Sequence, residues 1–256
     1  MEMEFVLIIN TVAAFLTSIL SAVVGMAGGV TLLAVMLLTM PITMVVPIHG
    51  AIQLVSNTTR FIIYREHIAW PVVGQFALGA VPFAFVGIQL VGMADPVHLK
   101  IAIGCFILFA VYVPKKMLTV LAHPKYAFPI AGSIGSALGM IVGASGPLIA
   151  PFFLGKDLPK ESIIATKATC QGIIHSMKLL LFGLVLSFNF AEHGLMIIFM
   201  VCAVVVGTWA GKKILTKYVS EEAFTLLYKS FLTLIAVKIL LYDGLYVGWF
   251  MTAMAG

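Results

Sequence analysis

The 256-residue sequence predicts an all-α polytopic membrane protein of two inverted-topology repeats, each a broken-helix hairpin followed by three transmembrane helices. Three observations predict it. Hydrophobic residues make up 62% of the chain and charged residues 10%, with a mean hydropathy of +1.14, whereas soluble domains sit near 45–50% apolar and about 25% charged. Sliding the chain on itself by 118 residues carries Gly25 onto Gly143 and Gln53 onto Gln171. Basic residues between the hydrophobic stretches collect almost entirely on one side of the topology this repeat implies.

Hydrophobic stretches fall at about 4–24, 28–40, 44–63, 70–92, 97–113, 126–142, 146–154, 160–185, 193–210 and 221–242. None alternates strictly, so a barrel is excluded and helices must satisfy the backbone in lipid. Glu2 and Glu4 stand where a signal peptide would carry basic residues, and no small-residue cleavage site follows, so the first stretch is expected to be retained. Residues 4–40 form one apolar run broken by Gly25-Met26-Ala27-Gly28-Gly29, and 126–154 another broken by Gly143-Ala144-Ser145-Gly146-Pro147. An unbroken helix over 4–40 would be about 55 Å long, against a hydrocarbon core of about 30 Å. The glycines therefore predict turns, and each run becomes a hairpin with its tip inside the membrane. The stretches at 44–63, 70–92 and 97–113 supply three crossings after the first hairpin, and those at 160–185, 193–210 and 221–242 supply three after the second. Cys105, Cys170 and Cys202 all lie in hydrophobic stretches without metal-ligand spacing, so neither a disulfide framework nor a metal site is expected.

The same shift carries Gly28 onto Gly146, Pro41 onto Pro159 and Arg60 onto Lys178 without a gap. A later slip of about six residues aligns 97–113 with 221–242, giving halves of 1–125 (tip at 25–29) and 126–256 (tip at 143–147). Three crossings per half is an odd number, so the second half is inverted. One side then holds Arg65, Lys115, Lys116, Lys125, Lys156, Lys160, Lys212, Lys213 and Lys217. The other has Lys100 as its lone basic residue, with Glu2, Glu4, Asp95, Glu192 and Asp243. That bias places the basic side in the cytoplasm and both termini outside. Reading each broken run as a single crossing scatters the basic residues over both faces. Inverted repeats with broken helices are a transporter architecture.

Each half carries one polar stripe. His49, Gln53, Asn57 and Arg60 occupy the helix after the first hairpin, and Lys167, Gln171, His175 and Lys178 occupy the matching positions in the second half. Spacings of 4, 4 and 3 keep each set within about 80° of arc, with the glutamines roughly 16 Å from their helix starts, close to mid-bilayer. Arg60 and Lys238 lie near helix ends, where snorkelling to water is expected. The central parts of the stretches contain no Asp or Glu, so the donors present (ammonium, imidazole and amide) suit an anion rather than a cation. Helices restarting after Gly29 and Pro147 would aim free N–H groups and positive dipole ends at the tips, with Thr31 and Ser145 adding hydroxyls. The expected substrate-binding set is Gly25, Gly28, Gly29, His49, Gln53, Asn57, Gly143, Ser145, Gly146, Lys167, Gln171 and His175.

The glycine-rich break, the following Pro41 or Pro159 and the polar-striped helix, present in both halves, resemble the TauE/SafE sulfite exporter family, also called the toluene-sulfonate uptake permease family. The resemblance covers nearly the whole chain. That family usually shows a G-x-G-G-G-like break with a proline several residues on; Pro151 occupies that place in the second half, while position 33 of the first half does not hold proline. The resemblance implies transport of sulfite, thiosulfate or an organosulfonate across the bacterial cytoplasmic (inner) membrane by a multi-pass protein. The partners expected are that small anion and the lipid bilayer; a homodimer is compatible with this architecture, and neither a cofactor nor a nucleic acid is called for.

The expected mechanism is alternating access around a midplane anion site, with Lys167, His49 and His175 supplying charge. The two histidines are candidate carriers of a coupling proton, because imidazole titrates near neutrality. An anion channel using the same site is the alternative. A rival of another class is a rhomboid-like intramembrane serine protease, in which Ser145 of Gly143-Ala144-Ser145-Gly146 would be the nucleophile and His175 its base. The repeat counterpart of Ser145 is Ala27, which speaks against it.

Overall fold

Glycine and proline divide this apolar chain into helices. The computed structural model describes residues 2–24, 27–112, 126–154, 158–214 and 221–246, and the regular structure among them is entirely helical. Ten α-helices follow in order: α1 (Glu2–Val24), α2 (Ala27–Thr39), α3 (Ile42–Ile63), α4 (Trp70–Met93) and α5 (Pro96–Tyr112), then α6 (Ala127–Val142), α7 (Gly146–Leu154), α8 (Lys160–Leu184), α9 (Gly194–Ile214) and α10 (Glu221–Lys238). These match the ten hydrophobic stretches closely. The last helix continues as a wider π-type winding, Ile239–Tyr246.

The breaks have local causes. Pro41 (φ −59°, ψ 143°) and Pro159 (φ −54°, ψ 151°) stand extended at the starts of α3 and α8, because proline locks φ and cannot donate into a preceding helix. Gly143 caps α6 with φ +81°, a left-handed conformation that side chains rarely adopt. Ser145 then accepts from the Leu148 and Ile149 amides and opens α7. At the first break α2 already begins at Ala27, so Gly28 and Gly29 lie in its first turn rather than in the break. Gly25 falls outside the described residues, as do Lys115, Lys116, Lys125, Lys156 and Lys217.

α1 and α2 form an antiparallel hairpin. Asn10 donates to the Thr39 hydroxyl at 2.8 Å near its open end, and Gly28 lies against Thr17 and Ser21 near its tip. Elsewhere, α4 packs along α6 and α1 along α9; α3 packs on α8, and α5 on α10. The α4–α6 pair runs parallel, Gly79 lying against Pro129 and Gly87 against Ala137. A Cβ on Gly79 would strike the Pro129 carbonyl oxygen, and one on Gly132 would strike that of Phe76. Small residues at a helix crossing let backbones touch, which is the main source of packing energy where lipid is as apolar as the side chains.

Gly79→Ala is therefore expected to destabilise the fold by about 1–3 kcal/mol through overpacking. Gly74→Ala, which meets open space, provides the control. Thermal unfolding in detergent checks it, and equal stability of the two variants would refute the contact.

Large apolar side chains cover the exterior. Leu78, Phe85 and Met93 of α4, Leu195 and Trp209 of α9, and Leu234 of α10 are exposed, as lipid-facing positions are. Trp70–Met93 and Phe190–Gly211 are long and apolar enough to span a bilayer on their own. Among the described residues, the fully buried histidines and lysine, His49, His175 and Lys178, lie on α3 and α8.

Candidate functional site

Helices α3 and α8 cross in opposite directions at the centre of the bundle. Gly50 of α3 faces Lys178 of α8, while Arg60, three turns on, lies within electrostatic reach of Lys167. The two hairpin tips close over the crossing. Between them lies a small cavity of about 20 Å³, traced by the centre of a water-sized sphere, which is room for one or two water-sized groups.

Each stripe supplies three polar side chains to this cavity: His49, Gln53 and Arg60 from α3, and Lys167, Gln171 and His175 from α8. Gly29 and Val30 line it from the first tip, and Ala144 to Pro147 from the second. Ser21 of α1 completes the wall. Among the described residues the lining holds cations, imidazoles, amides and hydroxyls, and no carboxylate.

The tips approach the two glutamines in the same way. A Cβ on Gly29 would lie 3.2 Å from Gln53 Nε2, and one on Gly146 would lie 3.2 Å from Gln171 Nε2. By contact, then, Gly146 corresponds to Gly29, one residue away from the ungapped match with Gly28. Glycine at both places leaves the amide groups uncovered. A substituent there would occupy the space in which a ligand could reach them.

Hydrogen bonds hold the tips in place. His49 Nε2 lies 2.8 Å from the Gly29 carbonyl and His49 Nδ1 lies 3.2 Å from the Gly143 carbonyl, so one ring touches both tips. Lys178 Nζ donates to the same Gly143 oxygen at 2.7 Å. Its stem crosses Gly50, where a Cβ would come within 2.6 Å of Lys178 Cδ. The Arg60 guanidinium donates to Ser21 Oγ at 2.7 Å. Ser145 Oγ and His175 Nδ1 are buried without a partner among the described residues, so this serine and histidine share no hydrogen bond.

A family model described as sulfite exporter TauE/SafE matches residues 11–239. The chain belongs to the TauE/SafE family. No curated protein and no solved structure matches it. The family is one of membrane transporters of sulfur anions, not of enzymes, and the acid-free cavity lies inside the region that matches.

Of the residues singled out in this TauE/SafE chain by sequence, Gly29, His49, Gln53, Ser145, Gly146, Lys167, Gln171 and His175 are brought together at the cavity. Gly143 contributes its carbonyl from behind, and Gly28 packs on α1. Asn57 is turned away, its amide donating to the Gln53 carbonyl at 2.9 Å. Thr31 is buried outside the lining. Arg60 departs from the expected snorkelling, because its long side chain curls back to Ser21 and into the cavity. Ser21 carried no signal: the 118-residue shift pairs it with Gly139, which has no polar group.

Proposed function

We propose that the protein is a secondary transporter that exports a small sulfur oxyanion or organosulfonate, such as sulfite, by alternating access around the cavity between the hairpin tips. The observation that carries this reading is the convergence of Arg60, Lys167, two imidazoles and two amides on one acid-free cavity. Buried cations are costly in a membrane and are kept where they face a pathway or a counter-ion. An oxyanion supplies that counter-charge and can accept hydrogen bonds from the ammonium, guanidinium and amide donors of the lining.

The halves 1–125 and 126–256 act as inverted repeats in this reading. Its support is that exchanging them preserves the chief packing pairs: α4 on α6 exchanges with α9 on α1, and α3 on α8 exchanges with itself. The positive-inside bias supports external termini. Rocking of one hairpin-bearing half against the other would open the cavity to each side in turn.

The test is counterflow in liposomes holding the purified protein. Labelled sulfite is expected to accumulate transiently against internal unlabelled sulfite, with saturable flux. Flux that rises linearly with concentration and shows no counterflow would make it a channel; absence of protein-dependent flux would overturn the reading.

A further inference from the structure

His49 sits where no single neutral tautomer can be satisfied. Its two ring nitrogens face two carbonyl oxygens, Gly29 at 2.8 Å and Gly143 at 3.2 Å. A carbonyl can only accept, and a neutral imidazole carries one N–H, leaving a lone pair on its other nitrogen. That lone pair would face a carbonyl lone pair. Only the imidazolium donates to both tips.

The surroundings decide when that form can exist. From α8, Lys178 shares the Gly143 oxygen, and the His175 ring centre lies 6.4 Å away in an edge-to-face arrangement. Arg60 and Lys167 line the same cavity. Helices α2 and α6, which also pack on α3, contribute no titratable side chain. On α5, His98 and Lys100 lie in the first turn, and Cys105 is exposed; on α9, Cys202 is exposed, and Lys212 and Lys213 stand in the last turn. The acids on elements packed against α3, Glu66 just past its C-terminal end and Glu161 in the first turn of α8, lie toward the Arg60 end of the crossing. Cys170 of α8 is buried in the apolar cluster with Ile149 and Phe153, and Tyr112 at the end of α5 bonds Thr233. The groups placed beside His49 are basic, so a second charge beside Lys178 is opposed unless an anion enters the cavity.

We propose that His49 is a positioning residue that clasps the two hairpin tips together, and that the clasp closes fully only when one proton and the substrate anion are bound at the same time. The inference rests on the anion-transport reading and adds its coupling ion. The proton enters from the aqueous side onto the His49 lone pair, converting an opposed nitrogen–oxygen contact into a second donated hydrogen bond. It leaves when the anion leaves. The neutral clasp holds one tip and frees the other, which is the motion that alternating access requires.

Thiosulfate, which carries no titrating proton near neutrality, is the probe. Calorimetric binding to the purified wild-type protein in two buffers of different ionisation enthalpy counts the protons taken up. The expected result is about one proton per anion near pH 7, with affinity falling up to tenfold per pH unit at higher pH, as linkage requires. His49→Gln, which has a single donor nitrogen, is expected to bind with no linked proton and no such pH slope. His175→Gln, a change in the cavity lining, is expected to bind more weakly while keeping the linked proton and the pH slope. If wild-type binding takes up no proton between pH 6 and 8, the clasp is wrong while the anion site stands, and this holds even if His49→Gln does not fold. Loss of the uptake in His175→Gln instead of His49→Gln also overturns it. Absence of wild-type binding to both thiosulfate and sulfite sinks the transport reading itself.

Discussion

Lys167→Ala is expected to weaken anion binding by about 10- to 150-fold, because one charge-assisted hydrogen bond contributes about 1.5–3 kcal/mol. Lys167 lines the cavity on α8, opposite Arg60 and beside Gln171. The stretch around it holds Ala165 and Ala168, both buried, and its helix contains no acid beyond Glu161 in the first turn. The other Lys or Arg side chain of the lining, Arg60, is already engaged with Ser21. Thiosulfate affinity by calorimetry and sulfite counterflow should fall together. Lys167→Arg, which retains the charge, should recover part of both. Wild-type affinity and flux in the alanine variant would remove Lys167 from the site.

The second large effect separates stability from function. Lys178 is fully buried, and among the described residues its terminal nitrogen has one bond, to the Gly143 carbonyl. An ammonium taken out of water costs several kcal/mol even after relaxation, and one hydrogen bond of a charged group returns about 1.5–3 kcal/mol. No carboxylate lies beside it among the described residues. Lys178→Met, similar in length and apolar, should therefore raise thermal stability in detergent. It should at the same time lose the potential that Lys178 projects onto the cavity. A unit charge at about 8–15 Å, in an effective dielectric of 20, contributes on the order of 1–2 kcal/mol, a weakening of roughly 5- to 30-fold. A variant that is less stable and binds thiosulfate normally would make Lys178 a strut with no electrostatic role.

Both effects involve residues visible in the sequence, yet the sequence could not tell them apart. Lys167 and Lys178 sit on one stripe of one helix, eleven residues apart, and periodicity assigns them to the same face. Only the crossing of α8 with α3 distinguishes them, since Gly50 opens a slot for the Lys178 stem and leads its ammonium to the back of the second tip. Arg60 was misplaced for a related reason. Distance from a helix end estimates how readily a side chain reaches water, but a neighbouring hydroxyl 39 residues earlier gave it a nearer partner inside.

The ten helices, their glycine and proline breaks, the two polar stripes and the absence of central acids were all determined by the sequence alone. Each is a local property: hydropathy decides what enters lipid, proline and glycine decide where a helix must stop, and a spacing of three or four decides which groups share a face. Tertiary structure decided which of those groups meet the cavity, which grip a tip carbonyl and which turn away, as Asn57 does. These outcomes depend on distances of a few ångströms between helices far apart in the chain, such as the ring of His49 lying between Gly29 and Gly143. No pattern along one segment encodes such a distance, because it is set jointly by the packing of every helix around α3 and α8.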